Sequence, residues 1–123
     1  MGYIQSVIIG THYRTEQLII ESTLLELGVS KIFFIKEVGL DHIHLRDKKN
    51  ILYVLDYYIA SSFLQIFDIN NFIPCNLSEM IIIMDKFDIN TSNILYDMGI
   101  FNVLVRPFSA SRLKNICKSY IYF

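Results

Sequence analysis

The stretch Met98-Gly99-Ile100-Phe101-Asn102-Val103-Leu104-Val105-Arg106-Pro107-Phe108 holds a helix end, a strand and a helix start. Gly99 is the residue type that tolerates a left-handed helix ending, so it closes the helix expected from about Thr91 to Met98. Asn102 to Val105 is an apolar run of strand length. After Pro107, Ser109 is the expected N-cap of a last helix that turns Leu113, Ile116 and Tyr120 inward. Arg112, Lys114 and Lys118 then face water.

Working outward, the same alternation of short apolar runs with longer amphipathic stretches recurs along the chain. The other runs are Ser6 to Ile9, Lys31 to Ile35, Ile51 to Leu55 and Met80 to Met84. Such alternation marks βα units in a mostly parallel sheet, and Ile81-Ile82-Ile83 reads as a strand buried on both faces. Between the first two runs Ile20, Leu24 and Leu27 recur at helical spacing, with Glu16, Glu21 and Glu26 expected on other faces and Gly28 ending the helix. Gly39 to Lys48 has only a partial apolar stripe, and Asp68 to Ser78 reads as a polar loop containing Pro74. No repeat, low-complexity tract or linker divides the chain, so residues 1–123 are expected to form one domain.

With 53% apolar residues, the chain can bury a substantial core. Its net charge of −1 gives no electrostatic footprint for a nucleic-acid backbone or an anionic membrane, so direct nucleic-acid contact is not expected. Ile51 to Phe67 is strongly apolar but too short to span a bilayer. Asp56 in it adds an insertion cost of about 2.5–3.5 kcal/mol. Cys75 and Cys117 lie far apart with no CxxC pattern and no leader opens the chain, which suggests free thiols in a reducing cytoplasm.

The Met98–Phe108 segment resembles the part of response-regulator receiver domains where a helix ends in Gly and a short strand leads to a Lys-Pro-Phe-like triplet, with Arg106 in place of the Lys. Ile51-Leu52-Tyr53-Val54-Leu55-Asp56 resembles the receiver strand that delivers the phosphoacceptor aspartate. Val7-Ile8-Ile9-Gly10-Thr11-His12 resembles the first strand and the turn that carries paired acids. The likeness spans nearly the whole chain. It implies a doubly wound α/β fold of the flavodoxin-like receiver type, with five parallel strands in the order 2-1-3-4-5 and about five helices. The regulatory half of LuxR-type bacterial transcription regulators is the expected setting, and whether a DNA-binding domain follows Phe123 stays open.

The resemblance also implies a pocket, and the residues here depart from it. A receiver holds Mg²⁺ with paired acids and the acceptor Asp, offsetting the charge of the transferring phosphoryl group. Gly10 and Thr11 are read at the paired-acid positions, where neither supplies a charge. Asp85 stands where a hydroxyl residue is expected and would repel phosphate. Arg106 keeps a positive charge in a different shape. The expectation is a degenerate phosphoacceptor pocket of Gly10, Thr11, Asp56, Asp85 and Arg106, with Asp56 paired to Arg106 and neither catalysis, metal nor cofactor. The alternatives are an active phosphoacceptor in which Asp56 and Asp85 supply an unorthodox metal site, and a small-molecule sensor.

His42 and His44 lack a third ligand for a metal, and His12 is expected at the pocket mouth. With the switch degenerate, surfaces remain. Depending on helix rotation, Leu95, Tyr96, Ile100, Phe101 and Leu113 are the expected interaction face, and the tail Tyr120-Ile121-Tyr122-Phe123 leaves aromatic side chains exposed unless it is covered. The expected partner is a second copy or another transcriptional regulator.

Overall fold

The computed structural model describes residues 6–35, 51–61 and 79–121. Within them β1 (Ser6–Gly10), β2 (Lys31–Phe34), β3 (Ile51–Asp56), β4 (Met80–Met84) and β5 (Asn102–Val105) form one parallel sheet in the order β2-β1-β3-β4-β5. The helices are α1 (Arg14–Glu26), α2 (Ile89–Asp97) and α3 (Ala110–Ile121), and residues 57–61 directly after β3 are also helical. That makes four helical segments among the described residues, against about five expected. The readings of Gly39–Lys48, Asp68–Ser78, Cys75, the His42/His44 pair and the last two tail residues lie outside them, while Tyr120 and Ile121 of the tail are buried in the core and add no surface.

Every residue of β3 and of β4 is buried, and pleat alternation explains the two cores. Val7, Ile9, Leu52, Val54, Ile81, Ile83 and Leu104 point to one face, where Ile20 and Leu24 of α1 and Leu113 and Cys117 of α3 cover them. Ile8, Tyr53, Leu55, Ile82 and Met84 point to the other, packed with Ile59, Leu95 and Ile100. Each fully buried Ile or Leu contributes about 1.5–3 kcal/mol.

The expected punctuation recurs in the structure. Gly28 and Gly99 have φ of +95° and +96°, a conformation costly for a residue with a Cβ. The Ser109 hydroxyl accepts from the Arg112 N–H at 3.1 Å, capping α3. α2 begins two residues earlier than the apolar spacing suggested, because the Asp88 carboxylate caps it, accepting from the Asn90 N–H at 3.2 Å.

Three residues expected on an interaction face belong to the core instead: Leu95, Ile100 and Leu113 are 2%, 1% and 0% exposed. α2 turns Leu95 and α3 turns Leu113 to the sheet, and Ile100, in the turn between α2 and β5, packs into the same layer as Leu95. Tyr96 and Phe101 do face outward, their ring centroids 5.1 Å apart in an edge-to-face pair.

Candidate functional site

All five strands are parallel, so their C-terminal ends lie at one edge of the sheet, where open α/β sheets build their crevices. Thr11 follows β1, Asp56 ends β3, Asp85 follows β4 and Arg106 follows β5. The Arg106 N–H still bonds the Met84 carbonyl at 2.8 Å, which anchors the residue to β4, and the Arg106–Pro107 peptide is cis.

The Arg106 guanidinium fills the crevice. Its Nη2 lies 2.5 Å from Asp56 Oδ2, the pairing expected from the sequence. Its Nε and Nη2 also reach Glu16 Oε2 and Oε1 at 2.5 and 3.0 Å, a two-pronged contact. At the mouth Nη1 meets Asp85 Oδ1 at 2.9 Å, with the Asp85 side chain 80% exposed. The Tyr13 ring closes the assembly, its centroid 4.8 Å from Arg106 Cζ. Burial would lower the Arg106 pKa, but hydrogen bonds and charge from Glu16, then Asp56, raise it further than burial depresses it. The guanidinium is therefore a permanent cation in this crevice.

Both oxygens of Asp56 are engaged. Oδ2 holds Arg106, and Oδ1 accepts the Tyr58 N–H at 2.8 Å. Thr11 is 1% exposed, and its hydroxyl donates to Glu16 Oε1 at 2.8 Å. The same hydroxyl oxygen accepts the Tyr13 N–H at 3.3 Å, and the Thr11 carbonyl accepts from Gln17 Nε2 at 2.8 Å. Thr11 thus shapes the turn into α1 and fixes Glu16. His12 is exposed.

Two sequence readings need correction. Gly10 does not face the crevice: a Cβ there would meet Leu55 Cδ2 at 2.9 Å, Ile35 Cγ1 at 3.3 Å and Ile59 Cγ2 at 3.4 Å, all on the opposite side of the sheet. Strand alternation sends Gly10 into that apolar layer and leaves Thr11 to reach the crevice. Glu16, expected on another face of α1, is turned inward with its side chain 14% exposed. The spacing held the signal, since Glu16, Ile20 and Leu24 are four apart and share one stripe. A carboxylate at the start of a buried stripe demands a partner. The crevice is consequently not poor in acids: Glu16, Asp56 and Asp85 converge on one Arg106.

A bound Mg²⁺, which receivers use, does not fit this arrangement. The guanidinium already occupies the point where the carboxylates converge. Among the described residues no group of three or more His, Cys, Asp or Glu is disposed to hold a metal ion. Nor is any helix among them long and apolar enough to cross a membrane. The Cys117 thiol is free and buried.

No protein-family model matches the sequence, and no curated protein is significantly similar to it. Solved structures are similar in fold. A response regulator from Thermotoga maritima superposes with a TM-score of 0.74 at 16% identity, over 98% of this chain and 99% of that one. The ChxR receiver domain from Chlamydia trachomatis gives 0.64 at 18% identity, over 97% and 99%. The receiver domain of the sensor histidine kinase PA1611 from Pseudomonas aeruginosa, with a magnesium ion coordinated in its active-site cleft, gives 0.65 at 14% identity, over 95% and 97%. The chain has the receiver fold, and at these identities the likeness speaks for fold alone.

Proposed function

We propose that residues 1–123 form a receiver-like regulatory domain that works without phosphorylation, by pairing with a second copy or docking on another regulator in bacterial transcription control. It acts in the cytoplasm and is not an enzyme. The crevice of Thr11, Asp56, Asp85 and Arg106 is on this reading a phosphoacceptor site that has lost its function, with Glu16 added to it.

The observation that carries the reading is the engagement of both Asp56 oxygens. To accept a phosphoryl group, one carboxylate oxygen must attack phosphorus and the metal must offset the charge that gathers there. With Asp56 held by Arg106, that attack requires breaking a charge-assisted hydrogen bond in a crevice already ringed by Glu16 and Asp85. The ion cluster also ties α1, β3 and β5 together, supporting one fixed conformation in place of a two-state switch. A crevice filled by a side chain of the chain itself weighs against a small-molecule sensor as well.

Glu16 favours one rival reading. It brings a second carboxylate onto the Arg106 that holds Asp56, and an outward swing of Arg106 would leave the two as an unorthodox phosphoacceptor site. Adding beryllofluoride with millimolar Mg²⁺, or acetyl phosphate, separates the two. The proposed reading expects the amide spectrum around Asp56 to stay unchanged, while saturable shifts there would establish the rival.

A further inference from the structure

We propose that the outer edge of β5 is a strand-docking site for an extended acidic segment of a partner protein. This rests on the phosphorylation-independent docking reading and names its surface and the chemistry of its partner. β5 ends the sheet order, and among the described residues no strand pairs with its outer side. The Arg106 N–H bonds β4, and backbone direction in a parallel ladder alternates, so Leu104 also turns its backbone to β4. Val103 and Val105 therefore present their N–H and C=O groups outward. Such a row is a template for an added strand.

The two flanks of this edge differ, which gives an added strand its side-chain pattern. On one flank stands the edge-to-face pair of Tyr96, 64% exposed, and Phe101, 57% exposed. On the other runs a groove of about 470 Å³, lined by Asn102 and by Ser111, Arg112, Asn115 and Ser119 along one face of α3. Alternate side chains of a docked strand would meet the aromatic pair and the polar groove. Charge selects the occupant. α3 carries Arg112, Lys114 and Lys118 and no acidic residue. Lys114 is taken by Glu26 and Lys118 lies outside the groove, whereas Arg112 lines it, is exposed and meets no carboxylate among the described residues. A second copy paired edge to edge would set two such basic helices side by side; an acidic segment neutralises them.

The test uses the whole chain and a seven-residue capped peptide alternating valine with glutamate, followed by amide NMR at low salt. Saturable shifts at Val103 and Val105 are expected. Methylating alternate peptide nitrogens, exchanging glutamate for lysine, or the variant Arg112→Glu should each weaken binding at least tenfold. Val103→Pro removes only an outward donor, so it should abolish the shifts while leaving the β4 ladder amides in place. Equal binding by the N-methylated or lysine peptide overturns the proposal, as does the absence of saturable shifts at millimolar peptide. Repeating the titration with beryllofluoride and Mg²⁺ keeps the two readings apart. A chain deaf to both ligands loses only the strand-docking site. One that binds the peptide only after beryllofluoride loses its phosphate independence and keeps the site.

Discussion

Arg106 and Glu16 lie 90 residues apart in sequence and meet through two hydrogen bonds, Nε to Oε2 at 2.5 Å and Nη2 to Oε1 at 3.0 Å. Their side chains are 15% and 14% exposed, so neither charge is well solvated without the other. This contact, with the bond to Asp56, ties the first helix to the end of the last strand.

Arg106→Ala orphans two poorly solvated carboxylates and should cost about 3 kcal/mol, near the low end for breaking a buried pair. Arg106→Lys should recover only part of this, because an ammonium cannot make the fork. A double-mutant cycle with Glu16→Gln, followed by urea unfolding, should return a coupling of about 1 kcal/mol or more. Additivity within about 0.3 kcal/mol would show that the contact does not hold the elements together.

Gly10→Ala places a Cβ 2.9 Å from Leu55 Cδ2 and should destabilise by about 1–3 kcal/mol through overpacking. Gly10→Asp should cost more and gain no Mg²⁺ binding, since the carboxylate would enter the apolar layer of Leu55 and Ile59. Thermal melts with and without Mg²⁺ read both. Stabilisation of the Asp variant by the metal would mean that Gly10 does face the crevice.

Burial pushes the Cys117 thiol up to about 12 from its ordinary value of 9.0. Burial likewise raises Tyr120, against the opposing effect of its hydrogen bond from Asn102. Both groups are thus held neutral in the fold while the unfolded chain ionises earlier. Their contribution is fully present below about pH 9 and is lost as pH rises from there towards 12. Urea midpoints should fall over that window, less steeply in Cys117→Ala, and iodoacetamide should label Cys117 only as the chain unfolds. Rapid labelling of the native protein at pH 8 would contradict the burial.

Leu95→Ala should cost about 2–5 kcal/mol, as a core truncation does, whereas Tyr96→Ser on the next position should cost less than about 1.5 kcal/mol. In sedimentation, Tyr96→Ser should weaken self-association or partner capture without unfolding the chain. A monomer across micromolar concentrations that recovers no partner would count against the proposed function.

Ser109→Ala removes the side-chain acceptor that starts α3 and should lower stability by about 1 kcal/mol. No change in the unfolding midpoint would mean that water satisfies the Arg112 N–H equally well.

The sequence by itself determined the elements. Strand limits fell within a residue of the apolar runs, Gly28 and Gly99 marked helix ends, and Ser109 marked a start, because each depends on neighbours a few residues away. The pairing of Asp56 with Arg106 was also legible, since the receiver-like order brings the ends of β3 and β5 to one edge. What only the tertiary structure decided was rotation and facing. α1 turned Glu16 into the crevice, the β1 pleat sent Gly10 away from it, and Leu95, Ile100 and Leu113 went to the core while Tyr96 and Phe101 stayed outside. Spacing gives the stripe on a helix or strand, but which neighbour meets that stripe is set by packing between elements far apart in the chain.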